Sequence, residues 1–140
     1  MSEIGSIAAV ETRINKARKA KISLMVWGPT VDMRRDPRWG RNEEAYGEDP
    51  FLTGAMSTAY TRALRGDKPD FMLTVPTLKH FCADNNEDTR GRCSVSMNDR
   101  LKHEYYYAAF RPSITAGGAY AVMASYNEIN GVPAICNPDL

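Results

Sequence analysis

Three short apolar runs, residues 22–27, 71–78 and 120–125, are separated by stretches long enough to hold a helix each. That spacing constrains the fold more than any other feature of the chain. Antiparallel strands can be joined by a two-residue turn, whereas parallel strands need a crossover of a dozen residues or more, usually a helix. The intervening stretches carry helix patterns. Ile7, Val10, Ile14 and Ala17 recur at helical spacing and predict an amphipathic helix over residues 6–20. Asp49-Pro50 opens the clearest helix, because Asp49 can cap it and proline suits the first helical position. Its pairs Phe51/Leu52, Ala55/Met56, Ala59/Tyr60 and Ala63/Leu64 make a wide apolar face, expected to be core, and Gly66 is the expected stop. A third helix is predicted from the S-x-x-D start Ser96–Asp99 to about residue 116. Pro112 should kink or shorten it, and Gly117-Gly118 should end it. Asn130-Gly131 marks a turn.

The order helix, strand, three times over, implies parallel βαβ units. Two α/β architectures accommodate it: an open doubly wound sheet, or part of a (β/α)8 barrel with about three parallel βα units. A G-x-G-x-x-G loop would favour the first, and none is present.

Composition excludes several classes. The 140 residues are 43% hydrophobic and 25% charged, which argues against disorder and fits one domain. Eighteen basic and seventeen acidic side chains leave a net charge of +1, with no basic stripe, so neither nucleic acid nor an anionic membrane is an expected partner. Cys82, Cys93 and Cys136 form no CxxC pair, so a disulfide scaffold, a metal site and a cofactor are not expected. No run reaches transmembrane length, and residues 1–12 lack the basic and apolar regions of a signal peptide; the compartment stays unassigned.

The chemistry gathers where the strands end. Lys79-His80-Phe81 follows the second run, and a cation beside an imidazole is costly to bury there. The first run leads into the polar stretch 32–49, which contains Asp36-Pro37-Arg38-Trp39-Gly40-Arg41, and the third ends in Tyr126-Asn127. A structureless loop as long as 32–49 inside a domain is usually functional or disordered, and its tryptophan, tyrosine and mixed charges favour function. In α/β barrels the catalytic and substrate groups collect at the C-terminal ends of the strands.

These blocks resemble the N-terminal barrel domain of glycoside hydrolase family 3. The matching segments are Arg35–Arg41, then Glu44-Ala45-Tyr46-Gly47-Glu48-Asp49-Pro50, Lys79-His80-Phe81 with Arg90, Val122–Asn127, and Asn130-Gly131-Val132-Pro133, in family order. The resemblance implies a retaining hydrolase that removes terminal β-linked sugars through a glycosyl-enzyme intermediate, using two carboxyl groups. The family's nucleophile sits in a Ser-Asp-Trp-like block after the Tyr126 strand, and Asp139 does not match it. Residues 1–140 are thus expected to be a single, incomplete middle portion of the barrel, without the nucleophile or acid/base and inactive alone, with an aptitude for self-association or for pairing with the rest of a barrel. The alternative is a non-catalytic sugar-binding remnant or interaction module. The N-acetylglucosamine branch resembles Lys-His-Phe-Pro-Gly-His-Gly. Here the run is Lys79-His80-Phe81-Cys82-Ala83-Asp84, so the β-glucosidase and β-xylosidase branches fit better.

By this resemblance the substrate-binding residues are Arg41, Lys79, His80, Arg90, Met123 and Tyr126. Arg41 would reach sugar hydroxyls, although alone it reads as a surface arginine bracing Glu44 or Glu48. Lysine offers three donors, and imidazole can donate to one hydroxyl while its other nitrogen is held. Arg90 is preferred over Arg92 by family spacing, and Tyr126 would stand beside the nucleophile with Met123 in the same wall. Glu87 and Asp88 imitate a catalytic pair, but Glu87 is expected to position neighbouring bases. Asp36 and Arg38 are expected to shape their loop, and Trp39 is either a sugar platform or loop packing. Strand side chains alternate faces, so Lys79 and His80 can share one sugar only if the backbone turns irregularly. A strained or cis peptide is expected at Lys79–His80 or His80–Phe81.

Overall fold

A computed structural model describes residues 1–19 and 21–140. In chain order the elements are α1 (Ser2–Arg18), β1 (Met25–Val26), a 3-10 turn (Asn42–Glu44), α2 (Pro50–Arg65), β2 (Val75–Phe81) and β3 (Ser94–Val95). Then follow α3 (Asp99–Leu101), a π-helical segment (Lys102–Tyr106), α4 (Tyr107–Thr115), β4 (Ala121–Ala124), β5 (Glu128–Ile129), β6 (Val132–Pro133) and a second 3-10 turn (Ala134–Cys136).

β1, β2 and β4 form one parallel sheet with β2 in the middle, as the helix-length connections require. The strands are shifted from their predicted places. The first apolar run pairs only at Met25–Val26, and the chain rejoins β2 beyond a cis Gly28–Pro29 bond through a Thr30–Lys79 bridge. The second strand starts four residues later than expected and includes Lys79-His80-Phe81 instead of stopping before them. Pro76 does not break it. The Val75, Thr77 and Lys79 amides donate toward the β1 side, to Leu24, Gly28 and Pro29 carbonyls. Pro76 therefore falls on the β4 side, where pairing begins only at Thr77, and its missing N–H removes no ladder bond.

The helix termini follow their local chemistry. Asp49 caps α2, its Oδ1 accepting from Leu52 N at 2.6 Å, and Gly66 closes the helix at φ +82°. The third helix is capped by Asn98, not Ser96: Asn98 Oδ1 accepts from Leu101 N at 2.8 Å. Pro112 lies within α4, which continues to Thr115, and the irregularity appears earlier as the π-helical segment. Asn130 and Gly131 both take positive φ, +52° and +84°, and turn β5 into β6. Such a pair of left-handed residues is what a two-residue hairpin demands.

The helices pack in a row with α2 between α1 and α4, and here the predicted faces are overturned except at Leu64, which is buried as expected. Ile7, Val10 and Ile14 are 53%, 51% and 44% exposed, while Gly5 and Ala9 are buried against α2. In α2, Phe51 and Leu52 are exposed, and the buried positions are Thr53, Gly54, Ser57, Thr61 and Leu64. Close approach is the reason. A Cβ on Gly5 would lie 2.8 Å from both Ala63 Cβ and the Tyr60 carbonyl oxygen, and one on Gly54 would lie 3.1 Å from Pro112 Cγ. Ser57 and Ser113 hydroxyls meet at 2.7 Å across α2 and α4. Ala20, the predicted end of α1, lies outside the described residues.

The apolar core is instead gathered around the end of β2. Val31, Met33, Leu78, Ala109 and Phe110 form one buried cluster, and Cys82, Ala83, Met97, Tyr106 and Ile129 form another. Gly5→Val is expected to lower stability by about 1–3 kcal/mol through overpacking. Ile7→Ser, on the exposed stripe, is expected to change it by less than about 0.5 kcal/mol. Urea unfolding midpoints check both, and the opposite ranking would restore the predicted face.

Candidate functional site

Two apolar anchors carry a carboxylate into the core. Val31 and Met33 are buried, so Asp32 between them is buried too, at 2% exposure. Its Oδ2 accepts from the His80 backbone N–H and lies 2.9 Å from both that nitrogen and His80 Nδ1. This locks the end of β2 to the segment that follows β1. The Lys79–His80 and Phe81–Cys82 peptide bonds are cis, and the β2–β4 register shifts between Leu78 and Phe81. Lys79 and His80, neighbours in sequence, each meet one member of the same ion pair: Lys79 meets Glu44 and His80 meets Arg41.

That pair sits on the 3-10 turn. Glu44 accepts from Arg41 through both oxygens, at 2.8 Å from Nε and 3.0 Å from NH2. Its Oε2 also accepts from Lys79 Nζ at 2.9 Å and from the Thr30 hydroxyl at 3.0 Å. Arg41 NH1, left over by the bidentate pair, lies 3.2 Å from His80 Nε2. Glu87 extends the frame: it is 4.0 Å from Arg41 NH1 and 3.0 Å from Arg90 NH1. The Arg90 guanidinium lies 5.2 Å from the centre of the Tyr126 ring, and Tyr126 is 69% exposed.

Arg41, Lys79, His80, Arg90 and Tyr126 thus join one connected network, drawn from a loop, a strand end, a second loop and the end of β4. Met123 lies on β4, next to β2, half-buried and outside the charge network. Trp39 is a packing residue: it is 5% exposed and its Nε1 donates to Glu87 at 3.2 Å. Asp36 accepts from the Arg38 backbone and side chain, both at 2.9 Å, and Asn42 Nδ2 donates to the Asp36 and Trp39 carbonyls. These contacts hold the loop that carries Arg41. A polar groove of about 730 Å³ lies between residues 35–40 and 85–88 and adjoins the network at Trp39 and Glu87.

Sequence analysis missed Asp32 and Asp84 and named Glu44 only as a surface partner. Asp84 is 2% exposed, and its Oδ2 lies 3.6 Å from His80 Nδ1. Among the described residues, neither Asp84 oxygen nor Asp32 Oδ1 has a hydrogen-bond partner. Asp32 interrupts a short apolar stretch, Val31-Asp32-Met33, and Asp84 closes another, Phe81-Cys82-Ala83; that pattern is the signal that could have found them. Burial pushes both carboxyls above their ordinary range, while His80 draws each of them down.

Glu44 behaves oppositely. Arg41 first, and Lys79 second among its partners, bring its carboxyl down from 4.5 to about 2. A depressed value of this kind adds stability that is fully present above the unfolded value and is lost as pH falls through the folded one. The Glu44 contribution is therefore complete above pH 4.5 and disappears as pH falls toward about 2. A carbon-13 NMR titration of the Glu44 carboxyl should show that low midpoint. A midpoint near 4.5 would mean that the pairs with Arg41 and Lys79 do not form in solution.

Residues 4–140 match the family described as glycosyl hydrolase family 3 N terminal domain. Among curated relatives, probable beta-D-xylosidase 7 of Arabidopsis thaliana is 36% identical over 127 residues, 81% of this chain and 16% of the relative. The periplasmic beta-glucosidase of Salmonella typhimurium is 38% identical over 112 residues, 79% of this chain and 14% of the relative. Among solved structures, a GH3 exo-beta-xylosidase in complex with a xylobiose aziridine activity-based probe superposes with a TM-score of 0.89 at 30% identity. That match covers 97% of this chain and 18% of the other. The chain spans less than a fifth of the length of these relatives. Its three parallel strands and helix row follow the β/α barrel of those domains, and the chain belongs to glycosyl hydrolase family 3.

Proposed function

We propose that these residues supply one wall of the sugar subsite of a retaining glycosidase acting on terminal β-linked glucose or xylose. The observation that carries this is the convergence of Arg41, Lys79 and the His80 ring on one spot from separate segments, framed by Glu44. A guanidinium and an ammonium offer only donors, which suits the lone pairs of sugar hydroxyls. The exposed Tyr126 ring beside Arg90 suits a sugar edge. The relatives include both β-glucosidases and β-xylosidases, and the two sugars present the same ring hydroxyls.

The carboxylates near this spot support binding rather than turnover by the chain alone. Glu44 and Glu87 are committed to cations, and Asp32 and Asp84 are buried behind His80. A retaining mechanism needs two carboxyl groups flanking the bond to be cut. The exposed Trp27, Phe51, Tyr120 and Ile135 favour self-association of the isolated chain.

Methyl β-glucoside or methyl β-xyloside should show saturation-transfer NMR signals with the chain. Lys79→Met and Arg41→Met should each weaken that binding at least about tenfold, as loss of a charged hydrogen bond does. Unchanged binding in both variants would overturn the subsite. The pure chain should hydrolyse neither aryl β-glucosides nor aryl β-xylosides, and turnover abolished by substituting one of its own carboxylates would overturn the assignment to binding alone. Sedimentation velocity should find species larger than the monomer; a single monomeric boundary at tens of micromolar would contradict self-association.

A further inference from the structure

We infer that His80 offers its Nε2 to the sugar as a hydrogen-bond acceptor, and that Asp32 is the positioning residue that sets this polarity. The ring is held from two sides. On one side, Asp32 Oδ2 lies 2.9 Å from Nδ1 while accepting the His80 backbone N–H. An oxygen that already accepts a main-chain donor meets Nδ1 as an acceptor, so Nδ1 carries the proton. Asp84 Oδ2, at 3.6 Å, adds a second acceptor on that side. On the other side, Arg41 NH1 lies 3.2 Å from Nε2. Guanidinium has no acceptor, so Nε2 must present its lone pair. The opposite tautomer would set a lone pair against two carboxyl groups and an N–H against a cation.

This polarity constrains the ligand, on the reading that the network binds a sugar. The one Nε2 lone pair accepts from Arg41 NH1 in this structure, so a hydroxyl bound at Nε2 takes the place of NH1 and must donate its proton to the ring. Its own lone pairs then face Arg41 and Lys79, which only donate. The arrangement selects a group that donates and accepts at once. A hydroxyl does both, whereas a carbon-bound fluorine accepts but cannot donate. The expectation that the imidazole donates to the sugar is reversed: the two cations are the donors and the histidine is the acceptor.

The chain has two histidines, His80 and His103, so nitrogen-15 labelling of histidine gives two ring systems, assigned with His103→Gln. Two-bond proton–nitrogen correlations on the wild-type chain should show His80 Nδ1 protonated and Nε2 bare. The reverse pattern, or the averaged pattern of a freely exchanging ring, would overturn the inference. In Asp32→Asn the side-chain amide can donate to Nδ1, and the ring should move to the Nε2–H tautomer; retention of the wild-type pattern in a folded variant would remove Asp32 from the role. A replacement of that kind acts through the wrong tautomer in a serine protease triad. The ligand arm uses methyl β-glucoside with each hydroxyl replaced in turn by hydrogen or fluorine. At one position both replacements should weaken binding at least about tenfold. If fluorine preserves affinity wherever hydrogen loses it, the acceptor role is wrong. If no sugar binds at all, the subsite and the ligand half of the inference fall together, and the ring polarity is still decided by the nitrogen pattern.

Discussion

The hold of Asp32 on His80 is the contact from which the site is organised. One carboxylate oxygen takes a backbone N–H and a ring nitrogen of the same residue, so it fixes both the chain path and the ring plane at the end of β2. An isolated buried charge costs several kcal/mol even after relaxation. Two donors on one oxygen offset part of that cost, and the opposed effects of burial and His80 on Asp32 express the balance. Val31 and Met33 make the burial unavoidable, since both are packed with Leu78, Ala109 and Phe110. The polar contact therefore rests on an apolar one: the core pulls the segment in, and the carboxylate comes with it.

Outward from this lock, the charges become exposed and their function changes. The Glu44 and Glu87 side chains are 32% and 26% accessible. Ion pairs at such positions contribute about 0–1 kcal/mol to stability. Their effect is geometric. Glu44 occupies the Nε/NH2 edge of Arg41 and so directs NH1 toward His80, and with its second oxygen it tethers Lys79 from another element. Glu87 ties Trp39, Arg41 and Arg90 together across two loops. Donors that would otherwise sample many rotamers are held in one array, which reduces the ordering cost that a ligand would meet on binding.

Local chemistry was legible where one residue decides one conformation. Asp49-Pro50 and Gly66 bound α2, and Asn130-Gly131 turns a hairpin, because capping and left-handed φ depend on the residues themselves. Family blocks pointed to Arg41, Lys79, His80, Arg90 and Tyr126, which the structure joins in one network. Faces were not legible. In α1 and in α2 before Leu64, exposed large apolar residues such as Ile7, Val10, Phe51 and Leu52 point outward while Gly5, Ala9, Gly54, Ser57 and Thr61 are buried, because backbones approaching within contact of a Cβ leave little room for more. Hydrophobic periodicity finds the apolar stripe of a helix; it does not say which neighbour reaches the other side.

By itself, then, the sequence determined the alternation of helix and strand, the parallel sense of the sheet, the cap and stop of α2, the turn at Asn130-Gly131 and the family blocks that carry the cationic residues. Each follows from chain connectivity, from the conformational preference of one residue, or from blocks matching a family. Only the tertiary structure decided that Asp32 and Asp84 stand behind His80, that Glu44 joins Arg41 to Lys79, that Trp39 packs, and that the small faces of α1 and α2 are the buried ones. Most of these depend on residues far apart in sequence, such as Asp32 with His80, 48 positions apart, and Arg41 with His80, 39 apart. A hydrogen bond between such residues is set by where the core brings two segments together, and no local pattern in either segment encodes the other's distance.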